Sequence, residues 1–215
     1  MGGIVVKIGI IGGIGPESTV DYYQLIIKAY RDKKNDGNYP EIIINSINMT
    51  KMLTFVSNNE WDKLVSYLSE AVKSVSDAGA QFAVIASNTP HMVFNEVQAL
   101  SPIPILSIVE ETYKYAMSLG MQKVGLLGTK FTMQSDYYQK VFERNGISVV
   151  VPNSQEQDYI HNKLMSENKI VRPSLTFAFL LYNGGSSQYK EKQWSTHCSF
   201  SDTNYVVPVM PIPSK

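Results

Sequence analysis

Short apolar runs alternate along this chain with longer segments in which apolar residues return every three to four positions. Lys7 to Ile11, Glu41 to Asn45, Gln81 to Ala86 and Lys123 to Leu127 are rich in Val and Ile, end at glycine or polar turns, and are expected as strands. A continuous apolar run is the pattern of a strand covered on both faces of a parallel sheet. Between them, Glu17 to Arg31 sets Val20, Tyr23, Ile26, Ile27 and Tyr30 on one helical face, with Pro16 in the favoured first turn. Trp61 to Ala78 repeats the pattern with Leu64, Leu68, Ala71, Val72 and Val75 and stops at Gly79. Ile108 to Leu119 stops at Gly120, and Gln134 to Arg144 stops at Asn145-Gly146. Strands alternating with helices predict the α/β class, with parallel sheets flanked by helices.

The two halves echo each other. Val124-Gly125-Leu126-Leu127-Gly128-Thr129 mirrors Ile8-Gly9-Ile10-Ile11-Gly12-Gly13, each opening a helical stretch. Duplicated, pseudosymmetric lobes with a ligand cleft between them are expected: residues 1–103 as the first lobe, 104–169 as the second, and 170–215 as an atypical tail. The segment Leu100 to Leu106, with Pro102 and Pro104, reads as a stiff extended linker. In the tail, Asn183-Gly184-Gly185-Ser186-Ser187 is polar, and Pro208, Pro211 and Pro213 exclude a central strand or helix around them. The C-terminal lobe is therefore expected to be atypical or incomplete.

Charge narrows the partners. With 19 basic and 19 acidic residues the chain of 215 residues is formally neutral, so it carries no electrostatic footprint for nucleic acid or an anionic membrane. Small molecules are the expected partners. The single cysteine, Cys198, has no internal disulfide partner, and the N-terminus lacks a charged stretch followed by a long apolar core. A cytoplasmic protein is expected.

Candidate chemistry concentrates where Phe82-Ala83-Val84-Ile85-Ala86 gives way abruptly to Ser87-Asn88-Thr89-Pro90-His91. Ligands of open α/β sheets gather beyond the carboxyl ends of such strands. A second candidate is Gly12-Gly13-Ile14-Gly15, where amides at a helix N-terminus can hold a carboxylate or phosphate, or where glycine serves a tight turn alone. A dinucleotide site asks for a fuller glycine fingerprint and an acidic residue ending the second strand. Here Gly13-x-Gly15-x-x-Ser18 ends in serine and the strand ends at Asn45-Ser46.

These residues resemble the aspartate/glutamate racemase family. The resemblance rests on Ile10 to Thr19, on Ala86-Ser87-Asn88-Thr89-Pro90-His91, on Ile108-Val109-Glu110-Glu111-Thr112 and on Gly125-Leu126-Leu127-Gly128-Thr129, in the family's order, from about Lys7 to about Lys169. It implies a cofactor-independent isomerase of amino-acid metabolism, often dimeric. Two side chains on opposite sides of the substrate α-carbon, in the interlobe cleft, exchange its proton. No metal is implied.

The resemblance also assigns roles. Ser87 stands where the family usually has its first catalytic cysteine. A thiol, with its ordinary pKa of about 8.5, is a far better base than a hydroxyl, so the two directions of proton transfer become unequal. Asn88 and Thr89 match ligands of the substrate carboxylate or amine. His91 matches a neighbour that orients the site, or else caps the following helix. Gly13, in the first-lobe turn, is a candidate substrate-binding residue, and Thr129 and Thr132 match second-lobe hydroxyls near substrate. Lys169 matches a lysine that pairs with a side-chain carboxylate in some relatives, though a lone lysine also reads as surface charge. The arginine that some relatives carry after the second strand is absent from Asn48-Met49-Thr50-Lys51-Met52. Cys198 lies at roughly the chain position of the second catalytic cysteine, but its surroundings, Thr196-His197-Cys198-Ser199-Phe200, lack the expected Gly-Cys-Thr-Glu context and equally suit an incidental thiol. The leading expectation is an aspartate/glutamate-type racemase, slow or one-sided. The alternatives are a related dicarboxylic-acid decarboxylase or isomerase, and a catalytically silent small-acid binder.

Overall fold

The Ile- and Val-rich runs pair side by side, and helices cover them. In the computed structural model, which describes residues 6–34, 36–167 and 179–182, the first elements are β1 (Lys7–Gly12), α1 (Pro16–Lys34), β2 (Glu41–Ser46), α2 (Met49–Ser57) and α3 (Trp61–Asp77). There follow β3 (Phe82–Ile85), a 3-10 turn (Thr89–Val93), α4 (Phe94–Leu100), β4 (Ile105–Leu106) and α5 (Ile108–Ser118). The remainder is β5 (Lys123–Leu126), α6 (Lys130–Gln134), α7 (Tyr137–Glu143), β6 (Ser148–Val150), α8 (Ser154–Glu167) and β7 (Phe179–Tyr182). Two compact units divide between Ile108 and Val109.

The first unit is built on a four-stranded sheet in the order β2-β1-β3-β4. Every pair in it is parallel, with Ile10 opposite Ile44 on one side and Val84 on the other. Position in the sheet explains burial. Central β1 and β3 hide Ile10, Ile11, Val84 and Ile85 completely, whereas Ile44 on edge strand β2 remains 43% exposed. Helix α3 presents the expected face, with Leu64, Leu68, Ala71, Val72 and Val75 all buried.

Two expectations for this unit need correction. Helix α1 does not bury Val20 and Tyr23, which are 53% and 43% exposed. It buries Tyr22 instead, together with Ser18 and Thr19, whose small side chains fit where the first turn lies against the glycine turn after β1. Nor is Leu100 to Leu106 wholly a linker. Its end, β4, adds to the sheet beside β3, and the Pro104 carbonyl already accepts the Ala83 N–H at 2.9 Å. Proline has no N–H to give but keeps its carbonyl, so it can open a ladder.

The second unit carries a three-stranded sheet in the order β6-β5-β7. Strands β5 and β6 are parallel, β6 being a strand the sequence did not single out, while β7, from the tail, runs antiparallel to β5 with Leu126 opposite Phe179. The helix expected over Gln134 to Arg144 is α7, which starts later at Tyr137, and a separate short helix, α6, precedes it. Ser135 takes an extended conformation (ψ 139°) that ends α6, and α7 begins at Tyr137 after its N-cap Asp136.

Candidate functional site

The strand order of the first sheet reverses between β1 and β3. In an open parallel sheet the loops leaving two such strands diverge to opposite faces and leave a crevice beyond their carboxyl ends. Ile11 pairs with Ile85 across this boundary. The Gly12-Gly13-Ile14-Gly15 turn and the Ala86-to-His91 turn therefore leave the sheet side by side, which brings two of the sequence candidates together.

Backbone bonds shape the second turn. Ala86 N–H continues the ladder to the Ile11 carbonyl at 2.9 Å, and Ser87 N–H then folds back onto the Ile85 carbonyl at 2.8 Å. From there the chain enters the 3-10 turn, with His91 N–H on the Asn88 carbonyl at 2.9 Å and Pro90 in the opening position. Ser87, Asn88, Thr89 and His91 are all buried. A row of polar side chains in so enclosed a place has to be held by specific partners.

His91 shows how. Its Nδ1 lies 2.9 Å from the Ser87 carbonyl oxygen, and its Nε2 lies 3.4 Å from the Ile108 nitrogen at the start of α5. An N–H donor at Ile108 requires Nε2 to accept, so the proton sits on Nδ1 and is donated to Ser87. The ring also stacks on Phe94, with centroids 5.3 Å apart. Both ring nitrogens thus engage the backbone, and His91 links the turn after β3 to Ile108. Burial lowers its pKa from the ordinary 6.5 to about 4, against an upward pull from its bonds to the Ser87 and Asn88 backbone. The imidazole is neutral at working pH.

The stability consequence has a definite sign. In the unfolded chain the ring takes its proton near the ordinary value, and in the folded protein only near 4, so stability is full above about pH 6.5 and falls as pH drops. Between pH 7 and pH 5 this group alone is expected to cost about 2 kcal/mol. Denaturant unfolding of the natural protein and of His91→Gln should show a pH dependence steeper by that amount in the natural protein. Equal slopes would mean that His91 is not held neutral.

The glycine turn is tightened by Thr19, which the sequence did not single out. Gly13 N–H donates to Thr19 Oγ1 at 2.9 Å, and a Cβ on Gly12 would come within 2.3 Å of the Thr19 methyl. Gly13 itself has φ +79°, and a Cβ there would stand 2.3 Å from the Ile47 carbonyl oxygen. Its amide donates inside the fold, and the absence of a Cβ lets the β2–α2 connection pass close by. The only sequence signal for Thr19 is a small polar residue one turn into a helix that follows paired glycines. In that connection Lys51 sits in the first turn of α2, its ammonium 4.4 Å from the centre of the Tyr67 ring, within cation–π range.

In the second unit, Thr129 caps α6. Its Oγ1 accepts the Thr132 N–H at 3.2 Å and lies 3.1 Å from Thr132 Oγ1. Thr132 is buried. The hydroxyls matched by the resemblance therefore form one pair at the carboxyl end of β5. Cys198 and Lys169 lie outside the described residues. Among the described residues no three His, Cys, Asp or Glu side chains gather as a metal site, and no helix is long and apolar enough to cross a membrane.

Comparison with known proteins bears on the family and the fold. The family model described as Asp/Glu/Hydantoin racemase matches residues 11–176. The chain is 31% identical over 159 residues to the broad specificity amino-acid racemase RacX of Bacillus subtilis, a match covering 70% of this chain and 66% of that protein. It is 25% identical over 126 residues to the glutamate racemase of Aquifex aeolicus, covering 58% of this chain and 47% of the relative. Among solved structures, an aspartate racemase homologue from Pyrococcus horikoshii OT3 superposes with a TM-score of 0.64 at 41% identity, over 75% of this chain and 70% of that one. The chain thus spans less than two thirds of the length of these curated relatives.

Proposed function

The chain belongs to the Asp/Glu/Hydantoin racemase family, and from that premise we propose that it moves the α-proton of aspartate, glutamate or a similar small acid without a cofactor. The observation that carries this reading is Ser87-Asn88-Thr89 emerging at the strand-order reversal, beside the glycine turn. Asn88 and Thr89 hold the α-carboxylate or amine, and Ser87 faces the α-carbon from one side. Thr129 and Thr132 supply further hydroxyls, Lys169 pairs with the side-chain carboxylate, and Cys198 is the candidate for the opposing base.

The proton balance is simple. One base removes the α-proton, charge passes into the carboxylate held by the amide and hydroxyl donors, and an acid on the far side delivers a proton. A hydroxyl can deliver one, but is weak when it must take one. The two enantiomers have equal free energy, so kcat/KM is the same in both directions of racemisation. The inequality between serine and thiol shows instead as exchange with retention, in which the stronger base removes and returns a proton on its own side more often than inversion occurs.

The test is to incubate each enantiomer of aspartate and glutamate with the protein and separate the products on a chiral phase. Growth of the opposite enantiomer, with total amino acid conserved, is the expected result. Loss of substrate as carbon dioxide would replace racemisation with decarboxylation.

A further inference from the structure

The Thr129–Thr132 pair sits on α6, a helix of five residues that is too short to hold its own shape. Its conformation has to be imposed from outside, and α8 does this. The backbone N–H of Lys130, the first residue of α6, donates to His161 Nδ1 on α8 at 3.3 Å. The Lys130 ammonium meets Asp158 Oδ1 at 2.5 Å, one turn earlier on α8. The Phe131 ring stands edge-on to the His161 ring with centroids 5.8 Å apart, and Gln134 Nε2 donates to Gln157 Oε1 at 3.2 Å. Residues at both ends of α6 are therefore tied to one face of α8, and the tie nearest the threonines is the imidazole.

We propose that His161 is a positioning residue for the Thr129–Thr132 hydroxyl pair: by accepting the Lys130 N–H it fixes the α6 turn that presents both hydroxyls. The assignment rests on the functional reading above, in which these hydroxyls meet substrate. It has a chemical consequence that a plain packing residue would lack. An imidazole accepts at Nδ1 only while neutral, and protonation turns the acceptor into a second donor facing the Lys130 N–H. The charged groups around it are Lys130 from α6 and Asp158 from α8 itself. Burial and the Lys130 ammonium hold its pKa below the ordinary 6.5, while Asp158 opposes them. The tie is intact at neutral pH and opens in acid.

The experiment compares the natural protein with His161→Asn and His161→Phe. Asparagine places a non-titrating oxygen close to the position of Nδ1, and phenylalanine keeps a ring without an acceptor. The His161→Phe variant should raise KM for the amino acid roughly five- to tenfold with little change in kcat, as expected for one lost hydrogen bond behind a substrate ligand. His161→Asn should restore KM and abolish its rise at acid pH. Amide exchange of Lys130, followed by NMR, reads the tie without reference to activity. Protection should fall in His161→Phe and hold in His161→Asn. Unchanged protection in His161→Phe would overturn the tie. Lost protection with unchanged KM would overturn the positioning role. A natural protein with protected Lys130 but no action on any of the acids would remove the functional reading, and the positioning claim with it.

Discussion

Replacing Ser87 by alanine should lower the rate at which one enantiomer becomes the other by about 10²- to 10⁴-fold, the usual contribution of a general acid or base. Exchange of the α-hydrogen with retention should persist, because that exchange belongs to the base on the other side. Ser87→Cys should act in the opposite direction and raise inversion, since a thiol of ordinary pKa about 8.5 both gives and takes a proton near neutral pH. The turn supports the substitution: Ser87 is pinned through its backbone by Ile85 and His91, so a new side chain inherits the same position. Chiral chromatography of reactions in heavy water separates the two processes. An alanine variant that inverts at the natural rate would show that the proton travels by another group.

The second large effect falls on stability. Gly13→Ala should destabilise the first unit by more than about 3 kcal/mol, a loss of roughly 10 °C in melting temperature for a chain of this size. Two costs combine. A positive φ of 79° disfavours alanine by about 1–2 kcal/mol. The new Cβ would also lie 2.3 Å from the Ile47 carbonyl oxygen, and Ile47 is held there by its own N–H on the Gly12 carbonyl at 2.9 Å. Gly15→Ala is the control. Its φ of 85° carries a similar backbone cost, but the nearest atom is Ser18 Oγ at 3.5 Å, so a loss of only about 1 kcal/mol is expected. Thermal unfolding of both variants decides. Equal losses would mean that the Gly13 turn does not need its close approach to the β2–α2 connection.

The legible parts of this fold are those where one face or one run of side chains decides the outcome. The break from Ala86 to Ser87 announced the end of β3, because a strand buried on both faces cannot continue through Ser-Asn-Thr. The α3 face was legible for the same reason. Helix α1 was not, because hydrophobic periodicity ignores Ser18 and Thr19, and these are the residues that fit under the glycine turn. Strand β4 is only two residues long and follows two prolines, so no period marks it. The split between α6 and α7 depends on Ser135 leaving helical geometry, which no local composition forces. For His91 the sequence left orienting the site and capping the following helix both open, and its partner Ile108 lies 17 positions away, beyond any local pattern. The pairs Gly13 with Thr19 and Lys130 with His161 are likewise contacts that only the folded chain brings together.

The central claim is that this chain labilises the α-hydrogen of a small acidic amino acid. The most direct measurement is proton NMR of L- and D-aspartate and L- and D-glutamate, each incubated with the natural protein in heavy water with no cofactor added. For at least one acid the α-proton signal should fade while the β-proton signals keep their intensity, with loss of signal in one enantiomer outpacing the appearance of the other. Undiminished α-proton signals for all four at saturating protein would contradict the claim and leave a binder of small acids without turnover.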